Sequence, residues 1–189
     1  SADDTRFLAA HDPDPFNRWQ AIQTLASSWL AADVAARRKG GAASADQGLN
    51  TALWAVIESS NLEPAFKALA LTLPSESDIA REIGQDVDPD AIFAARSALR
   101  AAVGHALGDS LRSSYAAMCA TGPFSPDAAG AGRRALKNVA LDLLTATVRQ
   151  WKHLSALTQA EQEQLLLASV VDRARRQIGL FLGILLSVS

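Results

Sequence analysis

Three stretches of the chain open in the same way, with a side-chain oxygen, then a proline, then residues at helical spacing: Asp14-Pro15, Asp88-Pro89 and Ser125-Pro126. A proline at the first helical position loses nothing by lacking an N–H, because that donor has no partner inside the helix, and its fixed φ suits the turn. The oxygen before it accepts from one of the free N–H groups of the first turn. The three pairs therefore predict three helix starts and a chain punctuated by caps instead of hairpin turns.

The apolar residues agree with the punctuation. After Pro15 they fall at Phe16, Trp19, Ile22, Leu25, Trp29 and Leu30, in steps of three and four, and the stretch closes with Arg37, Arg38 and Lys39 before Gly40-Gly41. Cations in a last turn followed by glycine suit the negative end of a helix and a left-handed cap. A second helix is predicted around Leu49, Leu53, Val56 and Ile57. A third begins near Asn61, carries Phe66, Leu69 and Leu73, and stops at Pro74. Ser75 with Asp78 three residues on forms a variant capping box for a short helix that Gly84 ends.

From Asp88-Pro89 a long helix bears Ile92, Leu99, Val103 and Leu107. It is weakened at Gly104 and Gly108 and continues through Leu111, Tyr115 and Met118. Ser125-Pro126 opens another, with Leu136, Val139, Leu143 and Leu144 on its buried side, and Thr158 with Glu161 caps a last one. Strand-like alternation is absent and no fixed repeat length emerges. The fold expected is all-α, an irregular array of antiparallel helix pairs, HEAT-like or solenoid-like.

Composition narrows the function. At 189 residues, with 49% hydrophobic and 20% charged residues, the chain has a globular make-up and enough length for a real core. A formal net charge of -2 gives no general pull toward nucleic acid or an anionic membrane. The single cysteine, Cys119, excludes an internal disulfide and fits a reducing, cytoplasmic setting, and beside Met118 it reads as a small buried hydrophobe. The opening SADDTRF lacks the basic and apolar regions of a signal peptide. The apolar run from Ile178 to Val188 is too short to span a bilayer, which takes about 20 residues.

Few residues invite chemistry. The histidines are His11, His105 and His153, and none lies in an H-E-x-x-H pair of zinc ligands. Neither a nucleophile elbow nor a phosphate-binding loop occurs. Asp86-Val-Asp88-Pro-Asp90 mimics the start of a calcium loop, yet Ala91 stands where glycine is needed and Ser97 where a bidentate glutamate is needed. His11 with Asp12 and Asp14 leaves a coordination shell short, so HDPDPFNRW is read as a structural helix start. Asp14 caps it, Pro15 is its first residue, and Phe16 and Trp19 begin the buried stripe. The basic groups at 37–39, at Arg133, Arg134 and Lys137, and at Arg173, Arg175 and Arg176 are read as solvated faces and helix ends.

Taken in order, FLAAHDPDPFNRWQAIQTLA, ALALTLPSESDIAREIGQDVDPDAIFAARSALR and GRRALKNVALDLL resemble the first part of the C-terminal helical domain of bacterial aminopeptidase N, a zinc metallopeptidase family. The likeness runs from about Phe7 to Thr145. Its most specific elements are F-N-R-W, the T-L-P-S turn at Thr72 to Ser75, D-P-x-A-I from Asp88, and the helix of Arg134, Leu136 and Asn138. It implies a domain that encloses the peptide-binding chamber while another domain holds zinc through H-E-x-x-H and the substrate amine through G-x-M-E-N.

Neither motif occurs here, so the resemblance assigns no catalytic, cofactor-binding or metal-binding residue to this chain and no catalysis to it alone. It implies the catalytic domain of such a peptidase as partner. The alternative is a free-standing helical module that binds a protein or peptide. Residues 1–145 form the expected array and 146–189 a divergent helical tail. Within the tail, Leu180, Phe181, Leu182, Ile184 and Leu185 are the expected surface for a homodimer, because an uncharged run after Arg176 left in water would be an unusually large apolar patch.

Overall fold

A computed structural model describes residues 2–44, 46–119 and 124–154, and all of the regular structure among them is helical. The helices in chain order are α1 (Ala2–His11), α2 (Pro15–Arg37), α3 (Gln47–Glu58), α4 (Pro64–Leu71), α5 (Glu76–Ile83), α6 (Pro89–Ala106), α7 (Gly108–Ala117) and α8 (Ala128–Leu154). By its contacts the chain divides into two units, residues 1–148 and 149–189. Of the second, only the end of α8 lies among the described residues, so Thr158, Glu161 and the run from Leu180 to Leu185 fall outside them.

The predicted caps are formed by side chains. Asp14 accepts from the Phe16 N–H at 2.8 Å as α2 begins, and Asp88 accepts from the Ala91 N–H at 3.0 Å as α6 begins. Ser75 and Asp78 make a reciprocal capping box on α5, and Gly84, at φ 76°, ends that helix in a conformation that other residues avoid. The third start is displaced. The residue that caps α8 is Asp127, whose carboxylate accepts from the Gly130 N–H at 2.5 Å, so the helix begins at Ala128 instead of at Pro126. Ser125 supports that cap from outside by donating its hydroxyl to Asp127.

The other differences have equally local causes. α1 was not anticipated at all. α4 starts at Pro64 instead of Asn61, and Lys67 turns back to donate from Nζ to the Ile57 carbonyl at the end of α3, 2.8 Å away. The long helix from Asp88 breaks at Leu107, where φ is -102° and ψ 12°, so α6 and α7 are separate. Gly104 is no weak point: a Cβ there would collide with the Leu143 backbone carbonyl, so its missing side chain is what lets α6 and α8 meet.

α2 is the middle of the array. It packs on α1, α3, α4, α5 and α6, and its inner face of Ile22, Leu25, Ala26, Leu30 and Val34 is buried. Around it the core is completed by Leu49, Leu53 and Val56 of α3, Leu71 of α4, Ile79 of α5, Ile92, Leu99 and Val103 of α6, Leu111 of α7, and Leu136 and Leu143 of α8. Polar crosslinks run over this core. Gln23 donates to the Thr72 carbonyl, Arg96 donates from Nε to the Pro74 carbonyl, and Arg100 forms an ion pair with Asp142 that ties α6 to α8.

The caps make stability depend on acidity. The Ser75 hydroxyl and N–H hold the Asp78 carboxyl below its ordinary 3.8, and the Ser125 hydroxyl with the Gly130 N–H does the same for Asp127. Burial works to raise Asp46, but the Arg6 guanidinium and the N–H groups of Leu49 and Gly48 outweigh it, so that carboxyl is lowered too. Carboxyls depressed in the folded state favour folding fully above their unfolded value, and that contribution disappears as pH falls through the folded values. The urea midpoint should therefore hold down to about pH 4 and fall steadily below it. A midpoint that stays level down to pH 2 would show that the caps carry no such weight.

Candidate functional site

The elbow between α1 and α2 holds the residues that most resembled a site. Asp12 Oδ1 accepts from the Asp14 N–H at 2.8 Å, and Asp14 Oδ1 accepts from the Phe16 N–H, so both carboxylates are engaged with the backbone of the turn. His11 ends α1 with its ring 5.0 Å from that of Phe7, tilted at 46°. The stretch is a joint in its backbone, but its aromatics are not placed as expected. Phe16 is 61% exposed, and Trp19 is only half-buried, with the two rings 5.7 Å apart. The inner stripe of α2 begins with Ala21 and Ile22, and Phe16 lies about a turn and a half before it, beyond the body of the core.

The other candidates resolve into structural duties. Asp88 caps α6, and Asp86 takes a left-handed φ of 52° in the turn before it. Arg37 donates from Nε to Asp33 Oδ2 at 2.6 Å. Arg134 donates to the Ser125 carbonyl at 2.8 Å with its guanidinium 4.6 Å over the Phe124 ring, and Lys137 lies 5.1 Å over the Tyr115 ring. Cys119, just past the end of α7, is exposed instead of buried, and its thiol lies 3.5 Å from the Tyr115 carbonyl.

Two features escaped the sequence reading. Asp33 is fully buried near the end of α2, where Oδ1 accepts from the Ala43 N–H at 2.7 Å while Oδ2 accepts from Arg37. It thereby anchors the loop that follows the helix, and its spacing of four from Arg37 was the only trace of this in the sequence. The second is the Arg6–Asp46 pair. Asp46 caps α3 through the N–H groups of Gly48 and Leu49, and Arg6 of α1 reaches it from Nη2 at 3.2 Å. The same contact holds the Arg6 guanidinium even more firmly in its charged form. The pair borders an open cleft of about 420 Å³ whose wall includes Trp29, with its indole N–H on the Ser44 carbonyl at 2.7 Å.

Among the described residues, no group of three or more His, Cys, Asp or Glu side chains could hold a metal ion. The described residues thus supply no ligand set that fits a zinc centre. No helix among them is long and apolar enough to cross a membrane. The fold and its surface define a class: an irregular armadillo-like helical array whose polar side chains cap helices and tie one to another.

The chain belongs to the family described as Domain of unknown function (DUF3458_C) ARM repeats, whose model matches residues 2–168. It is homologous to the C-terminal helical domain of aminopeptidase N. Aminopeptidase N of Caulobacter vibrioides is 43% identical over 145 residues, which is 76% of this chain and 16% of that protein. Aminopeptidase N of Escherichia coli is 34% identical over 109 residues, 58% of this chain and 12% of that one. The chain thus spans less than a fifth of the length of either relative. A crystal structure of Legionella pneumophila aminopeptidase A in complex with aspartic acid superposes with a TM-score of 0.64 at 21% identity, covering 88% of this chain and 19% of the other. At that identity the likeness is one of fold.

Proposed function

We propose that this chain serves as the helical domain that closes over the peptide-binding chamber of a zinc-dependent aminopeptidase N and takes no part in the chemistry itself. The observation that carries the reading is the match of the array, over most of its length, to part of a curated aminopeptidase N. The engagement of His11, Asp12, Asp14, Asp33 and Asp46 in packing and helix ends supports it, since groups committed to the backbone or to an arginine are poorly placed to work on a substrate. The partner is the catalytic domain, which would supply zinc and the groups that act on the peptide. A cytoplasmic setting suits the free, exposed thiol of Cys119.

The test joins two measurements on the purified 189-residue chain. Metal analysis should find no stoichiometric zinc, and an aminoacyl-nitroanilide assay should give no turnover above the uncatalysed rate. One tightly held zinc per chain, or turnover that a chelator abolishes, would overturn the reading.

A further inference from the structure

We infer that α1 is a releasable strap, clasped to the start of α3 by Arg6, whose stem lies across Gly48 while its guanidinium holds Asp46. Helix α1 brings little apolar surface to the array. Of its described side chains Ala9 alone is buried, whereas Phe7 and Leu8 are exposed, so the apolar burial that fixes α2 and α3 does little for α1. A helix held in this way can open by itself while the rest of the array stays folded. Across to α3 it reaches with a charge. Arg6 donates to both oxygens of Asp46, from Nε at 3.4 Å and from Nη2 at 3.2 Å, and Asp3 steadies its Nη1 at 2.9 Å.

Gly48 is what lets that arm lie where it does. Its φ is not positive, so backbone conformation does not call for glycine there. Space does: a Cβ on Gly48 would overlap Cγ, Cδ and Nε of Arg6 at once. Those atoms are the middle of an arm fixed at one end by α1 and at the other by Asp46, so an added methyl group and the clasp cannot share the seat. Exchanging glycine for alanine in a helix ordinarily strengthens that helix. Here one methyl group should strengthen α3 and loosen α1, two effects of opposite sign. The strap also covers something. Thr5 and Arg6 form one wall of a cleft of about 310 Å³ that is lined on its α2 side by Thr24, Leu25 and Trp29, so release of α1 opens that side of α2 to solvent.

Amide hydrogen exchange of the 189-residue chain under native conditions tests the proposal, read at Phe7 to His11 of α1 and at Leu53 to Ile57 of α3. In the parent the α1 amides should exchange at least about tenfold faster than those of α3, which marks release short of unfolding. Arg6→Ala should speed α1 by about a further tenfold and leave α3 unchanged. Gly48→Ala should speed α1 likewise while α3 exchanges no faster. Adding Gly48→Ala to Arg6→Ala should speed α1 no further, because the arm that the methyl group displaces is already gone. Equal rates in α1 and α3 of the parent would overturn the inference, since α1 would then open only with the whole array. So would a Gly48→Ala chain whose α1 keeps the parent's rates, or an Arg6→Ala chain whose two helices speed up alike. Should Gly48→Ala not fold, Asp46→Asn takes its place: it keeps an oxygen for the Gly48 and Leu49 N–H groups and gives up the charge. α1 alone should then speed up, and α1 rates at the parent's value would sink the inference.

Discussion

Replacing Asp33 by alanine should cost about 3 to 5 kcal/mol of stability, the range for breaking a buried charged pair by removing one partner. Asp33 is completely enclosed, and its two oxygens serve different masters: one holds the Arg37 guanidinium, the other the Ala43 N–H. Alanine leaves that N–H without its acceptor, leaves Arg37 without its counter-charge, and opens a void beside Leu30 and Val34 on the inner face of α2. Chemical denaturation of the variant reads the loss directly. Asparagine is the informative companion, because it keeps the volume and an acceptor for Ala43 while giving up the charge. A variant Asp33→Ala within about 1 kcal/mol of the parent would mean that the loop after α2 is fixed by something else.

Among the described glycines, Gly104 is the one where an added methyl group should do the most damage. The added carbon would meet the Leu143 backbone carbonyl at a separation no real contact shows, and it would crowd the Thr147 side chain as well. A flexible side chain could swing away, but a helix backbone cannot, so α6 and α8 would have to move apart along their seam. Overpacking of a core costs about 1 to 3 kcal/mol, and a backbone obstacle belongs at the top of that range. The gain in helix propensity from glycine to alanine, about 1 kcal/mol, works in the opposite direction and is smaller. A substitution that raised the urea midpoint would show that the two helices have slack between them.

The residues that announced themselves in the sequence are those whose role is local. A capping box needs only four consecutive residues, so Ser75 with Asp78 and the stop at Gly84 were readable, as were the starts at Pro15 and Pro89. Glu63-Pro64 carries a related signal for α4, but glutamate makes no side-chain cap there and the start was placed three residues early. At α8 the oxygen before the proline is not the one that caps; Asp127, one residue past it, has the shorter route to Gly130. Past the break at Leu107, α7 packs on α3, a contact between distant segments that no window of sequence contains.

Exposure was harder still to read, because it is set by what surrounds a helix. Phe16, Leu69 and Cys119 look like core residues in type and spacing and lie on the outside. Asp33 looks like a surface residue and is sealed within. α1 left no mark because its buried contribution is small residues such as Ala9, while its larger apolar side chains face outward.

The central place of α2 sets this array apart from a repeat protein in the usual sense. In a solenoid each unit leans only on its neighbours, so units can be added, deleted or frayed from an end with a roughly constant change in free energy. Here one helix of 23 residues touches five others, from α1 to α6. No cut ahead of α6 leaves a whole number of independent units on either side. Such a domain varies by exchanging side chains within a fixed number of helices, and its lineage should change length in its loops and at its ends, with the helices around α2 kept in number.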